Sequence, residues 1–172
     1  IDDGVDWLDI GGESSGPEGS DVSLEEELIR IIPIIKAIRK ENDIWISVDT
    51  SKSEVARQSL KAGADSINDV TALRNDSGMA NVIAKYKVPV VLMYSKDSSS
   101  RTTKKSMDYF DVMDTIKIFF RERIKFALSE GIQKKQIIID PGIGFAKNVD
   151  QNLILLRNLE DFVSMNYPVL IG

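Results

Sequence analysis

The 172-residue chain contains no cysteine and no histidine. Without cysteine, disulfides and thiolate chemistry are excluded. Without histidine, the chain lacks the commonest general base and the commonest zinc ligand. No apolar run approaches the roughly 20 residues of a membrane-spanning helix, and no signal peptide is visible. We therefore expect a cytoplasmic protein that does not bind membranes.

A surplus of basic residues is also missing, because 22 Lys and Arg stand against 27 Asp and Glu, a net charge of −5. That balance argues against nucleic-acid binding but allows a local basic pocket for one phosphorylated small molecule. The remaining composition is ordinary for a globular protein, and the length suits one domain over residues 1–172. Because the chain starts at Ile1 and stops within a strand-like stretch, we expect a protein truncated at both ends.

Strand-like and helix-like stretches alternate along the chain. The strand-like stretches are residues 5–10, 45–48, 66–67, 89–93, 137–139 and 169–171. The connections are too long for hairpins, which predicts parallel strands with right-handed helical crossovers. An open doubly wound sheet and an eight-stranded barrel both fit this pattern. Since a barrel of about 250 residues is typical, six strands with one more at each end would also fit a longer chain, and both architectures stay open on this pattern alone.

Local signals predict where helices begin and break. Ser23 starts S-L-E-E, a capping-box pattern with Glu26, and apolar residues follow at helical spacing. Pro33 falls within that helix and predicts a kink or a break. Thr50 or Ser51 is expected to cap the next helix, because a side-chain oxygen can accept from the first-turn amides.

One stretch, I-I-I-D-P-G-I-G-F-A-K over residues 137–147, combines a buried strand with an abrupt loop. Three β-branched residues suit a strand buried on both faces, and Asp140 stands where that strand must end. Pro141 and Gly142 then favour a loop. A lone carboxylate at the exit of a buried strand is costly unless something there requires it, so Asp140 is a candidate functional residue.

Four polar residues share that position, since Asp9, Asp49, Asn68 and Asp140 each fall at the carboxyl end of a predicted strand. In a barrel these ends converge on one mouth, where active sites occur. Carboxylates and a carboxamide without His or Cys suit recognition of a flat, donor-rich heterocycle by paired hydrogen bonds. They suit nucleophilic or metal-assisted chemistry less well.

Five strings carry a family resemblance: L-D-I-G-G-E-S-S-G-P, S-V-D-T, S-I-N-D-V, V-V-L-M and D-P-G-I-G-F-A-K-N. In this order and spacing they resemble the dihydropteroate synthases, a family of pterin-binding barrels. The resemblance implies the fold class α/β, a (β/α)8 TIM barrel with six of its eight strands present and the first and last missing. The resemblance implies a transferase of folate biosynthesis that joins 4-aminobenzoate to hydroxymethyl-dihydropterin pyrophosphate, giving dihydropteroate and pyrophosphate. It also implies magnesium, whose usual ligand lies outside this chain, so that no metal ligand is expected within it.

The resemblance assigns pterin-binding roles to Asp49, Asn68, Met93 and Asp140. It further implies that Asp49 and Asp140 are catalytic, by stabilising the positive charge that develops on the pterin when pyrophosphate leaves. The amine of aminobenzoate then attacks, so no histidine base is needed.

The same resemblance places Ser14, Ser15 and Pro17 in a mobile loop, residues 13–19, that helps to close the site over both substrates. It places Phe145 near aminobenzoate, and Lys147 follows as a weaker candidate near the carboxylate of that substrate.

The chain also departs from the family pattern. Thr-Arg-Pro is usual where this chain has Ser15-Gly16-Pro17, so a basic residue expected near the pyrophosphate is missing. Our hypothesis is that Arg101, in the polar segment 94–106, partly replaces it. Tyr94 stands where a histidine is usual.

Other functions are compatible with the same motifs. One is a related barrel that moves a methyl group from methyltetrahydrofolate to a corrinoid protein, and another is a non-catalytic pterin-binding barrel. The strings around residues 8–15 and 142–145 favour the synthase. For the synthase we expect small-molecule substrates, possible homodimers when full length, and no activity from these 172 residues alone.

Overall fold

The computed structural model of this chain describes residues 4–96, 101 and 109–172, and its centre is a parallel β-sheet. Five strands lie side by side in chain order: β1 (Trp7–Gly11), β2 (Trp45–Asp49), β3 (Ser66–Asp69), β4 (Val90–Met93) and β5 (Ile137–Asp140). Every neighbouring pair is parallel. Because the order never reverses, the sheet follows the barrel pattern rather than the doubly wound one. The five described strands do not close a barrel.

Helices connect the strands. They are α1 (Leu24–Glu41), α2 (Ser53–Ala62), α3 (Met79–Tyr86), α4 (Val112–Ser129), α5 (Val149–Arg157) and α6 (Leu159–Val163), with a 3-10 turn at Lys134–Gln136 before β5. Helix α1 packs on α2, α2 on α3 and α4 on α5. In the described part of the chain, no helix is both long enough and apolar enough to cross a bilayer.

The hydrophobic core lies between the sheet and these helices. Alternate strand residues supply it from the sheet, including Ile46, Val48, Ile67, Leu92 and Ile139, all fully buried. Because side chains in a strand alternate between faces, the intervening residues point to the opposite face. On that face lie the polar residues Asp9, Ser47, Asp49, Ser66, Asn68 and Asp140. Burial of the apolar face thus fixes which face carries the polar site.

The sixth predicted strand is wrong. Residues 169–171 contribute one parallel bridge, between Val169 and Ile139. The Ile139 amide donates to the Pro168 carbonyl at 3.0 Å, and the Leu170 amide donates to the Ile139 carbonyl at 2.9 Å. Proline has no amide hydrogen of its own, which removes one ladder donor. Five strands and a single bridge therefore replace the six predicted strands.

The start of α1 agrees with its sequence, but its predicted break is wrong. The Ser23 hydroxyl accepts from the Glu26 amide at 3.2 Å, as an N-cap does. The Glu26 carboxylate pairs with Arg30 instead of completing the capping box. The helix continues through Pro33 to Glu41, so its long apolar stripe outweighs the one lost donor.

The predicted cap of α2 is also wrong, because neither Thr50 nor Ser51 occupies that position. Lys52 is the N-cap residue and makes no side-chain cap bond. The first amide of the helix, from Ser53, donates instead to the carboxylate of Asp76 at 2.7 Å. A residue distant in sequence thus supplies the acceptor, which local patterns cannot reveal.

Candidate functional site

The four predicted pterin-binding residues lie at the carboxyl edge of the sheet. Asp49 ends β2 and is in register with Asn68, the third of four residues in β3. Met93 and Asp140 end β4 and β5 and are likewise register partners. The parallel register therefore brings each pair together at the edge where barrel enzymes place their sites.

Asp9 differs from its predicted position, because it is the third residue of β1 and not the last. The strand continues to Gly11, which lies opposite Asp49. A Cβ at Gly11 would contact the Asp49 side chain at 3.4 Å, so glycine leaves that carboxylate room. Asp9 still reaches the site, since its Oδ2 accepts from Asn68 Nδ2 at 2.9 Å.

One polar atom of the Asn68 side chain has no hydrogen-bond partner among the described residues. Its Nδ2 is engaged by Asp9, whereas its buried Oδ1 has no hydrogen-bond partner among the described residues. Buried polar atoms are almost always paired. An acceptor held at the site edge without a partner is suited to receive a donor from a ligand.

Asp49 lies in a strongly negative environment. Burial raises the pKa of Asp49, and the negative charges of Asp9, Asp69, Glu27 and Glu13 raise it further, to about 8. At pH 7 the carboxyl is therefore mainly protonated before a ligand binds. A donor-rich or cationic ring would favour the charged form, so this carboxyl can adapt its charge to the ligand.

The loop of residues 13–19 packs beside Asp49. Its first residue, Glu13, forms ion pairs with Lys52 and with Arg101, and Lys52 also contacts Glu27 at 2.5 Å. A cavity of about 10 Å³ remains beside Asp49, and its lining residues are Glu13, Ser15, Glu27, Asp49, Thr50, Ser51 and Val70. That space holds about one water, so a ligand at Asp49 requires the loop to shift.

The predicted loop residues differ in placement. Ser15 lines the cavity beside Asp49, whereas Ser14 and Pro17 are exposed. The Ser14 hydroxyl accepts from the Gly16 amide at 3.2 Å and so supports the turn itself. Of the three, Ser15 is brought directly to the site.

Arg101 lies against the same loop. Its guanidinium contacts Glu13 Oε1 and Asp21 Oδ1, each at 3.0 Å. Of the polar segment 94–106, residues 97–100 and 102–106 lie outside the described residues. Arg101 is therefore a cation next to the site that forms ion pairs with two carboxylates.

Asp140 is buried and begins a tight loop. Its Oδ1 accepts from the Gly142 amide at 2.7 Å. Burial raises the pKa of Asp140 to about 6, while the Gly142 amide and the positive charge of Lys147 act in the opposite direction. Gly142 has φ +67°, and a Cβ there would overlap the carbonyl oxygen of Tyr94. Only glycine fits this turn, which holds Asp140 against β4.

Lys147 and Phe145 complete the same loop. The Lys147 ammonium donates to the carbonyls of Gly142, at 2.6 Å, and Phe145, at 3.0 Å. It also lies 4.8 Å from the centre of the Tyr94 ring. Burial lowers the pKa of Lys147 to about 8, against the effect of Asp140. The ammonium is thus directed into the loop, whereas the Phe145 side chain is half-buried at its surface.

The buried position of Glu27 was not predicted from the sequence. Its side chain is 1% exposed and contacts Lys52. It resembled an ordinary acidic residue of a first helical turn. The overlooked signal is its spacing, because Glu27 shares a helix face with the buried Ile31 and Ile35. A carboxylate on an apolar stripe indicates a buried partner.

Asp69 was also missed. Its carboxylate accepts from the Thr71 amide at 2.8 Å, the Thr71 hydroxyl at 2.6 Å and the Leu73 amide at 2.8 Å. These bonds hold Ala72 and Leu73 at positive φ. Asp69 thus shapes the loop after β3, and the adjacent Asn-Asp pair was the available signal.

A larger cavity, about 730 Å³, is on another part of the molecule. It lies between α4 and α6, and its lining residues are Lys117, Arg121, Ile124, Lys125, Leu128, Asp161, Ser164, Met165 and Tyr167. It contains none of the strand-end residues. We place the functional site at the sheet edge, because the buried carboxyls, the unpaired acceptor and the strand register converge there.

In the described ranges, no group of three or more Asp or Glu side chains has a geometry that could hold a metal ion.

Comparison with known families and proteins gives a consistent result. The family model described as pterin binding enzyme matches residues 1–172. The dihydropteroate synthase of Clostridium beijerinckii is 44% identical over 172 residues, and that of Escherichia coli K12 is 41% identical. Both alignments cover the whole of this chain but only 61% and 60% of the relative. The chain thus spans about three fifths of these relatives.

Solved structures agree with the sequence comparison. Xanthomonas albilineans dihydropteroate synthase with 4-aminobenzoic acid superposes with a TM-score of 0.92 and 42% identity, covering 99% of this chain and 60% of that one. A Clostridium difficile dihydropteroate synthase, determined with pteroic acid present, superposes with a TM-score of 0.89 and 43% sequence identity. That alignment covers 99% of this chain and 62% of the other one. Both share the fold of this chain over the residues that superpose.

Proposed function

The chain belongs to the pterin binding enzyme family, and on that premise we propose that the protein containing it is a dihydropteroate synthase. It would condense hydroxymethyl-dihydropterin pyrophosphate with 4-aminobenzoate and release dihydropteroate and pyrophosphate. The relatives named above carry this activity in their names. The proposal for this chain depends on its own strand-end residues.

The observation that carries the proposal is the pairing of Asn68 with Asp49. The buried Oδ1 of Asn68 lacks a partner among the described residues, and Asp49 lies in register beside it with a pKa raised to about 8. Together they offer acceptors to adjacent donors on the edge of a flat ring. A pterin presents ring N–H and amino donors side by side, so both groups would be satisfied by one ligand.

Met93 and Asp140 complete the proposed pterin site. Met93 is buried and in register with Asp140, and its thioether suits packing on a ring face. The Asp140 carboxyl is fixed by the Gly142 amide, so it is already oriented when a ligand arrives. Fixed groups need no reorganisation as charge develops, and for that reason they stabilise transition states well.

The reaction then follows from the charges. The bond between the pterin methylene carbon and the pyrophosphate oxygen breaks, and its electron pair leaves with pyrophosphate. Positive charge develops on the pterin, where Asp140 and Asp49 stabilise it. The neutral amine of aminobenzoate forms the new C–N bond and releases its proton, so no histidine base is required.

The second substrate and the leaving group have candidate residues in the loops. Ser15 and the half-buried Phe145 are placed to contact aminobenzoate, with Ser14 and Pro17 in the loop that closes over it. Arg101 is the candidate for pyrophosphate, because it is a cation next to the site. It would exchange Glu13 or Asp21 for the phosphate oxygens.

We also propose a cytoplasmic enzyme, dimeric when complete, as is expected for this family. Magnesium belongs to the family expectation as well. The described residues do not supply its site, and the steps above assign it no role.

The test is formation of dihydropteroate by the full-length protein from the two substrates. Wild type should form product, and Asp140→Asn should lower kcat by about 10²–10³, the cost of removing one group that stabilises developing charge. Asp43→Asn is the matched control, because Asp43 is exposed in the connection at the opposite end of β2. Product formation that is equal in both variants would contradict the proposal.

A further inference from the structure

Lys147 occupies an unusual position for a lysine. It is 8% exposed, and its ammonium is enclosed by two carbonyl groups of its own loop and by the Tyr94 ring. A buried ammonium is costly unless it is paired. The loop that it closes is the one that begins at Asp140. The ammonium is therefore held in place by a structure that also fixes the Asp140 carboxyl.

We propose that Lys147 is a positioning residue for Asp140, acting through the loop of residues 142–145 and through its buried positive charge. The inference deepens the proposed synthase function and depends on it. It differs from the direct aminobenzoate contact suggested by the sequence, because the ammonium donates to the Gly142 and Phe145 carbonyls rather than pointing into the open site.

The geometric link runs through Gly142. The same residue donates its amide to Asp140 Oδ1, at 2.7 Å, and accepts the Lys147 ammonium on its carbonyl, at 2.6 Å. The positive φ of Gly142 allows both bonds at once. The two bonds hold the peptide units on either side of Gly142, so loss of the Lys147 bond removes one of the two restraints on the residue that orients Asp140.

The electrostatic link is direct. Among the described residues, Lys147 is the only charged side chain that lowers the pKa of Asp140, and Asp140 is the only one that raises the pKa of Lys147. The Tyr94 ring also packs against Tyr109 and Phe119, and the positive charge of Arg74 acts on it. Burial raises the pKa of Tyr94, so its phenol stays neutral and its ring face remains available to the ammonium.

Tyr94 makes this arrangement particular to the chain, because the family resemblance leads one to expect histidine there. A histidine could itself become charged, and it would then repel the ammonium. A neutral tyrosine ring attracts it, because the face of an aromatic ring carries negative partial charge. The replacement thus favours the inward position of Lys147.

The test compares pH profiles of kcat/KM for the full-length protein and its Lys147→Gln variant. Glutamine keeps a donor for the loop carbonyls but removes the charge. Ionisation of Asp49, whose pKa is raised to about 8, affects both proteins alike and cancels in the ratio of their kcat/KM values, so the acid limb near pH 6 reports Asp140. Loss of an opposite charge should move that limb upward by about one pH unit, so kcat/KM should fall about fivefold at pH 6 and by less than about 1.5-fold at pH 8.

Two further variants separate charge from structure. Lys147→Arg keeps the charge and should leave the acid limb near pH 6 even if kcat falls. Lys134→Gln is the matched control, because Lys134 also lies over an aromatic ring, that of Tyr167, but at the opposite end of β5. It should reproduce the wild-type profile.

Several results would overturn the inference. They are an unchanged Lys147→Gln variant, a loss of equal size at every pH, and an acid limb that moves in Lys147→Arg. If the glutamine variant does not fold, the arginine variant still decides the matter. Inactive wild type would instead contradict the proposed function, and pterin affinity measured between pH 5.5 and 8 would then test the link between Lys147 and Asp140 separately.

Discussion

Replacing Lys52 by methionine should destabilise the protein strongly, because Lys52 is the cation between two acidic side chains. Its ammonium contacts Glu27 at 2.5 Å and also pairs with Glu13. Glu27 is 1% exposed, and Lys52 is 26% exposed. The variant leaves the Glu27 charge buried without its partner.

The size of the effect follows from that burial. Removing one member of a buried ion pair costs about 3–5 kcal/mol, and the partial exposure of Lys52 places the expected loss near the lower value, about 3 kcal/mol. Glu13 adds little, because it retains Arg101.

Urea unfolding of the full-length protein, followed by circular dichroism, measures this loss. Adding Glu27→Gln to Lys52→Met should restore about 2 kcal/mol or more, because the uncompensated charge is then removed. Arg57→Met is the control, since it breaks an exposed ion pair with Glu54, and its urea midpoint should stay at the wild-type value. A Lys52→Met loss below about 1 kcal/mol, or a double variant no better than the single one, would refute the reasoning.

Three further predictions concern the site loops. Gly142→Ala should lower the free energy of unfolding by more than about 2 kcal/mol, because its Cβ would overlap the Tyr94 carbonyl. Gly144→Ala has open space around its Cβ, so it should lose only about 1–2 kcal/mol, from the positive φ alone. Pterin binding at pH 7 should release close to one proton, because Asp49 starts with a pKa of about 8 and ends ionised. Calorimetry in buffers of different ionisation enthalpy measures this release, which should disappear in Asp49→Asn. Arg101→Ala should raise the KM of the pterin pyrophosphate about tenfold, as loss of one charge-assisted contact does, and an unchanged KM would exclude a role in binding pyrophosphate.

The sequence was sufficient to predict the strand order and most of the sheet. Strict alternation of strands and helices predicted parallel neighbours, and all five described strands lie in that order. The sixth stretch failed because apolar composition reports the tendency to extend, whereas a strand also requires a partner with matching donors. At Val169 one bridge satisfies this condition, and Pro168 supplies no donor.

The positions of the candidate residues were predictable where strand order alone determines them. Asp49, Asn68 and Asp140 were expected at one edge because a polar residue that ends a buried parallel strand lies at the carboxyl edge of the sheet, and that is where they lie. The roles of Glu27 and Lys147 could not be predicted from the sequence, because the burial of these side chains depends on contacts between distant segments. Glu27 contacts Lys52, which is 25 residues away in the sequence. The direction of the Lys147 ammonium depends on the ring of Tyr94, which follows a different strand.

Binding of a pterin by Asn68 and its neighbours is the central claim. Calorimetric titration of the full-length protein with hydroxymethyl-dihydropterin pyrophosphate, with and without 4-aminobenzoate, tests it most directly. Wild type should bind one equivalent, and Asn68→Ala should weaken binding about tenfold through loss of the buried acceptor. Asn81→Ala, on the exposed face of α3, should bind as wild type does. Absence of pterin binding by wild type, or equal affinity in Asn68→Ala and Asn81→Ala, would contradict the account.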